Sequence, residues 1–110
     1  MSRAEFELQT VPEGTAVEVT VTGEVDASNV VDFDRALREV AGERPMIVHL
    51  SSMKYLDSAG FAVLDRLLAE QEIVIVLSPK SFMYRVAELM CMPIHHDAKA
   101  ARQVLRNGAG

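Results

Sequence analysis

Ile73-Val74-Ile75-Val76-Leu77 is the stretch that most constrains this chain: five apolar residues in succession, four of them β-branched. A strand with one wet face alternates apolar with polar side chains. An unbroken run therefore predicts a strand covered on both faces, and the expectation is a central place in a parallel sheet. Parallel neighbours need a long crossover, and one lies upstream. Met46 to Leu50 reads as the partner strand, and between 57 and 72 the residues Phe61, Leu64, Leu67 and Leu68 recur at helical spacing. The unit is strand, helix, strand, with its two strands paired in parallel.

The flanks extend the pattern. Phe6 to Val11 alternates around Phe6 and Leu8, Pro12-Glu13-Gly14 punctuates it, and Val17, Val19 and Val21 then alternate with Glu18 and Thr20. That is a hairpin with one wet face. Val30, Phe33, Leu37 and Val40 predict a helix over about 28–41, stopped by Gly42 and followed by Pro45. Beyond the apolar run, Ser78-Pro79 predicts an N-cap and first turn, with Phe82, Val86, Leu89 and Met90 as the inward face of a third helix. Pro93 to His96 has room for a short edge strand at most. Asp97 then caps a last amphipathic helix carrying Ala101, Val104 and Leu105, with a loose tail from about residue 107. The expected architecture is one α/β domain spanning 1–110: a mixed β-sheet with an N-terminal hairpin, parallel central strands and about four flanking helices.

Composition narrows the partners. Eleven basic residues against sixteen acidic ones give a net charge of −5, so nothing favours phosphate neutralisation and nucleic acid is not an expected partner. No apolar run is long enough to span a bilayer, and the first residues lack the apolar stretch of an export signal, so a cytoplasmic protein without membrane insertion is expected. The single cysteine, Cys91, cannot close an internal disulfide. With Met83, Met90 and Met92 it reads as soft filling for an irregular core.

The candidate sites are few. Lys54-Tyr55-Leu56-Asp57-Ser58-Ala59-Gly60-Phe61 places a hydroxyl where a loop enters a helix, with Ser58 at or next to the N-cap. A helix N-terminus accommodates a phosphate through its N–H groups and partial positive charge, and about two negative charges beside Asp57 would alter a docking surface. Local sequence leaves open whether Ser58 only caps the helix. His95 and His96 would point to opposite faces if extended, which disfavours a shared metal, and His49 reads as a core or loop-facing imidazole to which no role is assigned. Leu56 stands where a nucleophile elbow needs glycine, and neither a dinucleotide loop nor a phosphate-binding P-loop is present. No catalytic residue, cofactor or metal is expected, and the chain is read as a binding protein rather than an enzyme.

In order along the chain, Val21-Thr22-Gly23-Glu24-Val25-Asp26, Ile47-Val48-His49-Leu50-Ser51 and Leu56-Asp57-Ser58-Ala59-Gly60 resemble the signature of the STAS domain family. The compact length is similar to the free-standing anti-sigma-factor antagonists of that family. The resemblance implies that Ser58 is the serine phosphorylated by an anti-sigma factor that is itself a serine kinase. It implies that Asp26 and Asp57 border the docking surface, together with Gly23, Glu24, Ala59 and Gly60 from the same motifs. A phosphatase to restore the binding state, a role in stress or transcription control, and a monomer when free are further implications. The other role open to such a domain is that of an adaptor in a membrane transport complex or signalling scaffold, with Ser58 only a contact. Three positions depart from the family pattern: Ala62 replaces a second glycine, Ala69-Glu70-Gln71-Glu72 makes a short connection, and His49 stands where an acid or amide is common.

Overall fold

The computed structural model describes residues 4–108. Strands β1 (Phe6–Glu13) and β2 (Ala16–Val25) form the expected hairpin, antiparallel from Phe6↔Gly23 to Glu13↔Ala16. Helix α1 (Val30–Ala41) follows and ends at Gly42, whose N–H donates to Arg38 O at 3.0 Å. Strand β3 (Met46–His49) pairs in parallel with the first half of β2, from Val17↔Met46 to Thr20↔His49. Helix α2 (Ser58–Glu70) then crosses to β5 (Ile73–Val76), which pairs in parallel with β3 as the apolar pattern requires. Helices α3 (Tyr84–Leu89) and α4 (Ala98–Gly108) complete the described chain.

Several expectations are corrected. A further strand, β4 (Met53–Leu56), pairs in parallel with the far half of β2, so the long β2 carries β3 and β4 end to end along one side. Only its end residues Met53 and Leu56 are buried while Lys54 and Tyr55 are exposed, so it lacks the alternation that marks a strand in sequence. The sheet order is β1-β2-β3-β5, which puts the apolar strand β5 at one side rather than in the centre. Its faces are nevertheless both covered. Ile73, Ile75 and Leu77 join the core under α1 and α2, whereas Val74 and Val76 pack with Ala101 of α4. An unbroken apolar run reports covered faces and is silent about lateral neighbours.

The third correction concerns α3. It begins six residues after Ser78, with Met83 at its N-cap position, because 79–83 form turns instead of a first helical turn. This shift of phase turns Met83 and Ala87 inward and leaves Phe82 64% and Leu89 77% exposed, with Val86 and Met90 also on the surface. Cys91 is exposed too, in the left-handed region at φ 55°, instead of packing in the core, while Met92 is buried. Finally, the second face of the hairpin is not wet throughout: Glu18 is buried beneath α4.

The last helix starts where expected, with Asp97 Oδ1 accepting from Ala100 N at 2.8 Å. It continues through Asn107 and Gly108, past the expected start of a loose tail, and residues 109 and 110 lie outside the described part. A short edge contact does form after Pro93, as a single parallel bridge between Val76 and His95. Arg38 ties the two helices of the main core face together, its guanidinium 2.8 Å from both Asp34 and Glu70. Among the described residues no helix is long and apolar enough to cross a membrane.

Candidate functional site: the shared end of β2 and β4

Two of the sequence motifs meet at one end of the sheet. Val25 and Leu56 are register partners, and Asp57 N donates to Val25 O at 3.1 Å, so Asp26 and Asp57 leave adjacent strands side by side. Asp57 is extended (φ −88°, ψ −177°) and its Oδ1 accepts from Ala59 N at 3.0 Å and Gly60 N at 3.2 Å. The N-cap is therefore Asp57. Ser58 is the first helical residue, exposed, and does not cap the helix. With Phe61 N donating to Asp57 O at 3.1 Å, three of the N–H groups at the start of α2 already have acceptors. Asp57 thus takes up N–H groups that the sequence reading left free at this helix terminus.

Gly60 and Gly23 set how closely these elements approach. A Cβ at Gly60 would collide with the Leu56 side chain and lie 3.3 Å from Val25 Cγ1, so the bare glycine lets α2 seat on the ends of β2 and β4. Gly23 sits at φ +93°, and a Cβ there would strike the Glu5 carbonyl, while Glu24 N donates to that same oxygen at 2.8 Å. The β2–β4 register shifts between Gly23 and Glu24, a bulge that breaks strand alternation just before Asp26. Glu24 is exposed and Asp26 half-buried. The Asp26 carboxylate accepts from both the hydroxyl and the N–H of Ser28, and these hydrogen bonds hold its pKa below the ordinary aspartate value.

Sequence reasoning missed Asn29, the buried anchor of this loop. Its Oδ1 accepts from Asp26 N at 2.9 Å, and its Nδ2 donates to Glu24 O and Ala4 O, each at 3.0 Å. The run Asp26-Ala27-Ser28-Asn29 between strand and helix carried the signal, since such residues hydrogen-bond to nearby backbone. The remaining candidates lie elsewhere. His49 points to the face away from α2, with Nε2 2.9 Å from Glu18 Oε1, so it does not shape the polarity of the Ser58 loop. His96 meets the Tyr84 hydroxyl at 3.0 Å, and His95 serves through its backbone. Among the described residues no group of histidine, cysteine and carboxylate side chains could hold a metal ion.

The model of the STAS domain matches residues 7–89, which takes in both the Gly23 to Asp26 segment and the Asp57 to Gly60 segment. The chain belongs to the STAS domain family. Solved STAS-like structures share its fold. An anti-sigma factor antagonist from Mycobacterium paratuberculosis superposes with a TM-score of 0.76 at 18% identity, over 93% of this chain and 95% of that one. The anti-sigma factor antagonist SpoIIAA in its unphosphorylated form gives 0.60 at 16% identity, over 94% and 97%. A STAS domain antagonist from Rhodobacter sphaeroides gives 0.52 at 20% identity, over 64% and 84%. No curated protein sequence matches the chain. At these identities the likeness is one of fold, and what this STAS domain binds must be argued from its own residues.

Proposed function

We propose that this STAS domain is an anti-sigma-factor antagonist: unmodified, it binds an anti-sigma factor that is also a serine kinase, and phosphorylation of Ser58 switches that binding off. The observation that carries the reading is the placement of Ser58, exposed at the first position of α2, directly after a capping carboxylate and two residues before a buried glycine. The hydroxyl is open to a kinase and needs no unfolding to be reached. The fold shared with solved anti-sigma factor antagonists supports the same reading.

In this mechanism the docking surface is the shared end of β2 and β4, which carries Glu24 and Asp26 on one side and Asp57, Ser58 and Ala59 on the other, on a frame set by Gly23 and Gly60. Docking biases the anti-sigma factor away from its sigma factor, because one ligand shifts an equilibrium by its differential affinity for the two states. A phosphoryl group adds about two negative charges at a place where Asp57 already holds the nearest N–H groups. Those charges face the partner, and a carboxylate or apolar group opposite them loses its contact. A phosphatase restores the binding state. The chemistry of phosphoryl transfer, with its nucleotide, belongs to the partner.

The test is affinity capture with the wild-type protein from its native cell, followed by calorimetric titration of the captured anti-sigma factor with wild type, Ser58→Ala, Ser58→Asp and the protein phosphorylated in vitro. Tight binding by wild type and Ser58→Ala, with weakening for Ser58→Asp and more for the phosphoprotein, is the expected order. Equal affinity of the phosphorylated and unmodified forms would sink the switch. A transporter permease as the genomic neighbour and binding partner would favour the adaptor role instead.

A further inference from the structure

Asn29 stands at the N-cap position of α1, where asparagine is among the residues that serve best, yet its side chain makes no bond to the helix. Its backbone (φ −127°, ψ 8°) lies outside the extended region typical of a cap. Both of its side-chain polar atoms are used elsewhere. Oδ1 accepts from Asp26 N at 2.9 Å, and Nδ2 donates at 3.0 Å to Glu24 O and to Ala4 O. Asn29 is buried, while Glu24, Ala27 and Ser28 of the same stretch are exposed. The entry to β1 braces the same place, since Glu24 N donates to Glu5 O at 2.8 Å. A residue that leaves its local optimum unused, with its polar atoms satisfied elsewhere, is the mark of a functional constraint.

We propose that Asn29 is the positioning residue of the docking surface, a role that rests on the reading of that surface given above: its side chain, withheld from the cap of α1, holds residues 24–26 in the form that the anti-sigma factor binds. Residues 26–29 belong to no strand or helix, and the register shift between Gly23 and Glu24 interrupts the ladder just before them. Side-chain hydrogen bonds therefore fix what a regular ladder fixes elsewhere. A loop ordered before contact spares the complex the cost of ordering it, so affinity depends on Asn29 although the buried side chain acts only through its neighbours.

Asn29→Ser tests this, because it removes the amide that joins Asp26, Glu24 and Ala4 while a serine there can cap α1, with Asp32 three residues on. Asn29→Asp keeps an acceptor for Asp26 N but has no donor for Glu24 O and Ala4 O. Ile47→Val, in the cluster beneath α4, is a control that lowers stability on the other sheet face. Hydrogen exchange and calorimetric titration with the captured anti-sigma factor are run on the full chain, well below each unfolding midpoint. Asn29→Ser should speed exchange of the Asp26 amide at least about tenfold and leave α2 unchanged. It should weaken binding at least about fivefold, with Asn29→Asp moving the same way and Ile47→Val staying within about twofold of wild type. Wild-type affinity in both Asn29 variants overturns the role, as does an Asp26 amide that exchanges unchanged. Equal weakening by Ile47→Val would reduce the effect to lost stability. The switch is read on separate samples: if phosphorylated and unmodified protein bind alike while Asn29→Ser binds weakly, the Ser58 reading falls and the role of Asn29 stands. Should one Asn29 variant not fold, the other decides.

Discussion

Asp57 rather than Ser58 closes the N-terminus of α2, and this separates capping from switching at neighbouring residues. Asp57→Ala deletes the acceptor of two backbone N–H groups and should cost about 0.5–2 kcal/mol. Ser58→Ala removes an exposed hydroxyl that caps nothing and should stay within about 0.5 kcal/mol of wild type. Urea unfolding of the two variants checks the order, and a larger loss from Ser58→Ala would return the cap to Ser58. Glu18 gives a second residue-scale expectation. Burial pushes its pKa up, but hydrogen bonds from Arg102 and His49 outweigh that and leave it below the ordinary value. A carboxylate with a depressed folded pKa stabilises above its unfolded value, about 4.3, and that increment disappears as pH falls through the folded value. Protonated Glu18 resembles glutamine. The stability difference between wild type and Glu18→Gln at pH 7 should therefore narrow as pH falls below about 4.3 and through the folded value, measured by urea titration at each pH. A difference that persisted in acid would mean that packing, not charge, is what Glu18 contributes.

Among the elements, α3 shows how a short helix can carry the right residues on the wrong face. Phe82, Val86, Leu89 and Met90 have the spacing of an inward stripe, yet Met83 and Ala87 fill the core instead. The cause lies before the helix. Ser78 Oγ accepts from Lys80 N and Ser81 Oγ from Met83 N, so local side-chain hydrogen bonds hold 79–83 in turns and delay the first helical turn. Met83→Ala should then cost about 2–5 kcal/mol through lost burial and a cavity. Leu89→Ser, on the exposed side, should change stability by no more than about 0.5 kcal/mol. Thermal unfolding of both variants reads the phase directly, and the reverse order would restore the sequence-based face. Strand β4 makes a related point: its burial pattern of two covered ends around Lys54 and Tyr55 has neither period, and its pairing with β2 is what defines it.

For the whole molecule, sixteen acids against eleven bases leave a net charge of −5 and an isoelectric point near 5.1. Repulsion between copies fades as pH approaches that point, while the apolar side chains of α3 remain on the surface. Light scattering should rise as pH is lowered from 7 toward 5.1, and less so for Leu89→Ser. A rise of equal size in both would place the self-contact elsewhere.

The hairpin, the strand–helix–strand unit, the caps at Gly42 and Asp97 and the motif around Ser58 were legible along the chain, because periodicity and capping are local properties. Each is written within a few residues of itself. What could not be read there depends on partners far apart in sequence. Glu18 meets His49 thirty-one positions away and Arg102 eighty-four positions away, and that contact gives a buried place to a residue that looked solvated. Asn29 reaches back twenty-five positions to Ala4 to fix the loop beside Ser58. The lateral position of β5 was equally out of reach, since covered faces look the same whether a strand lies at the middle or the side of its sheet. Local pattern specifies which faces are apolar; the closing of the chain on itself specifies what covers them.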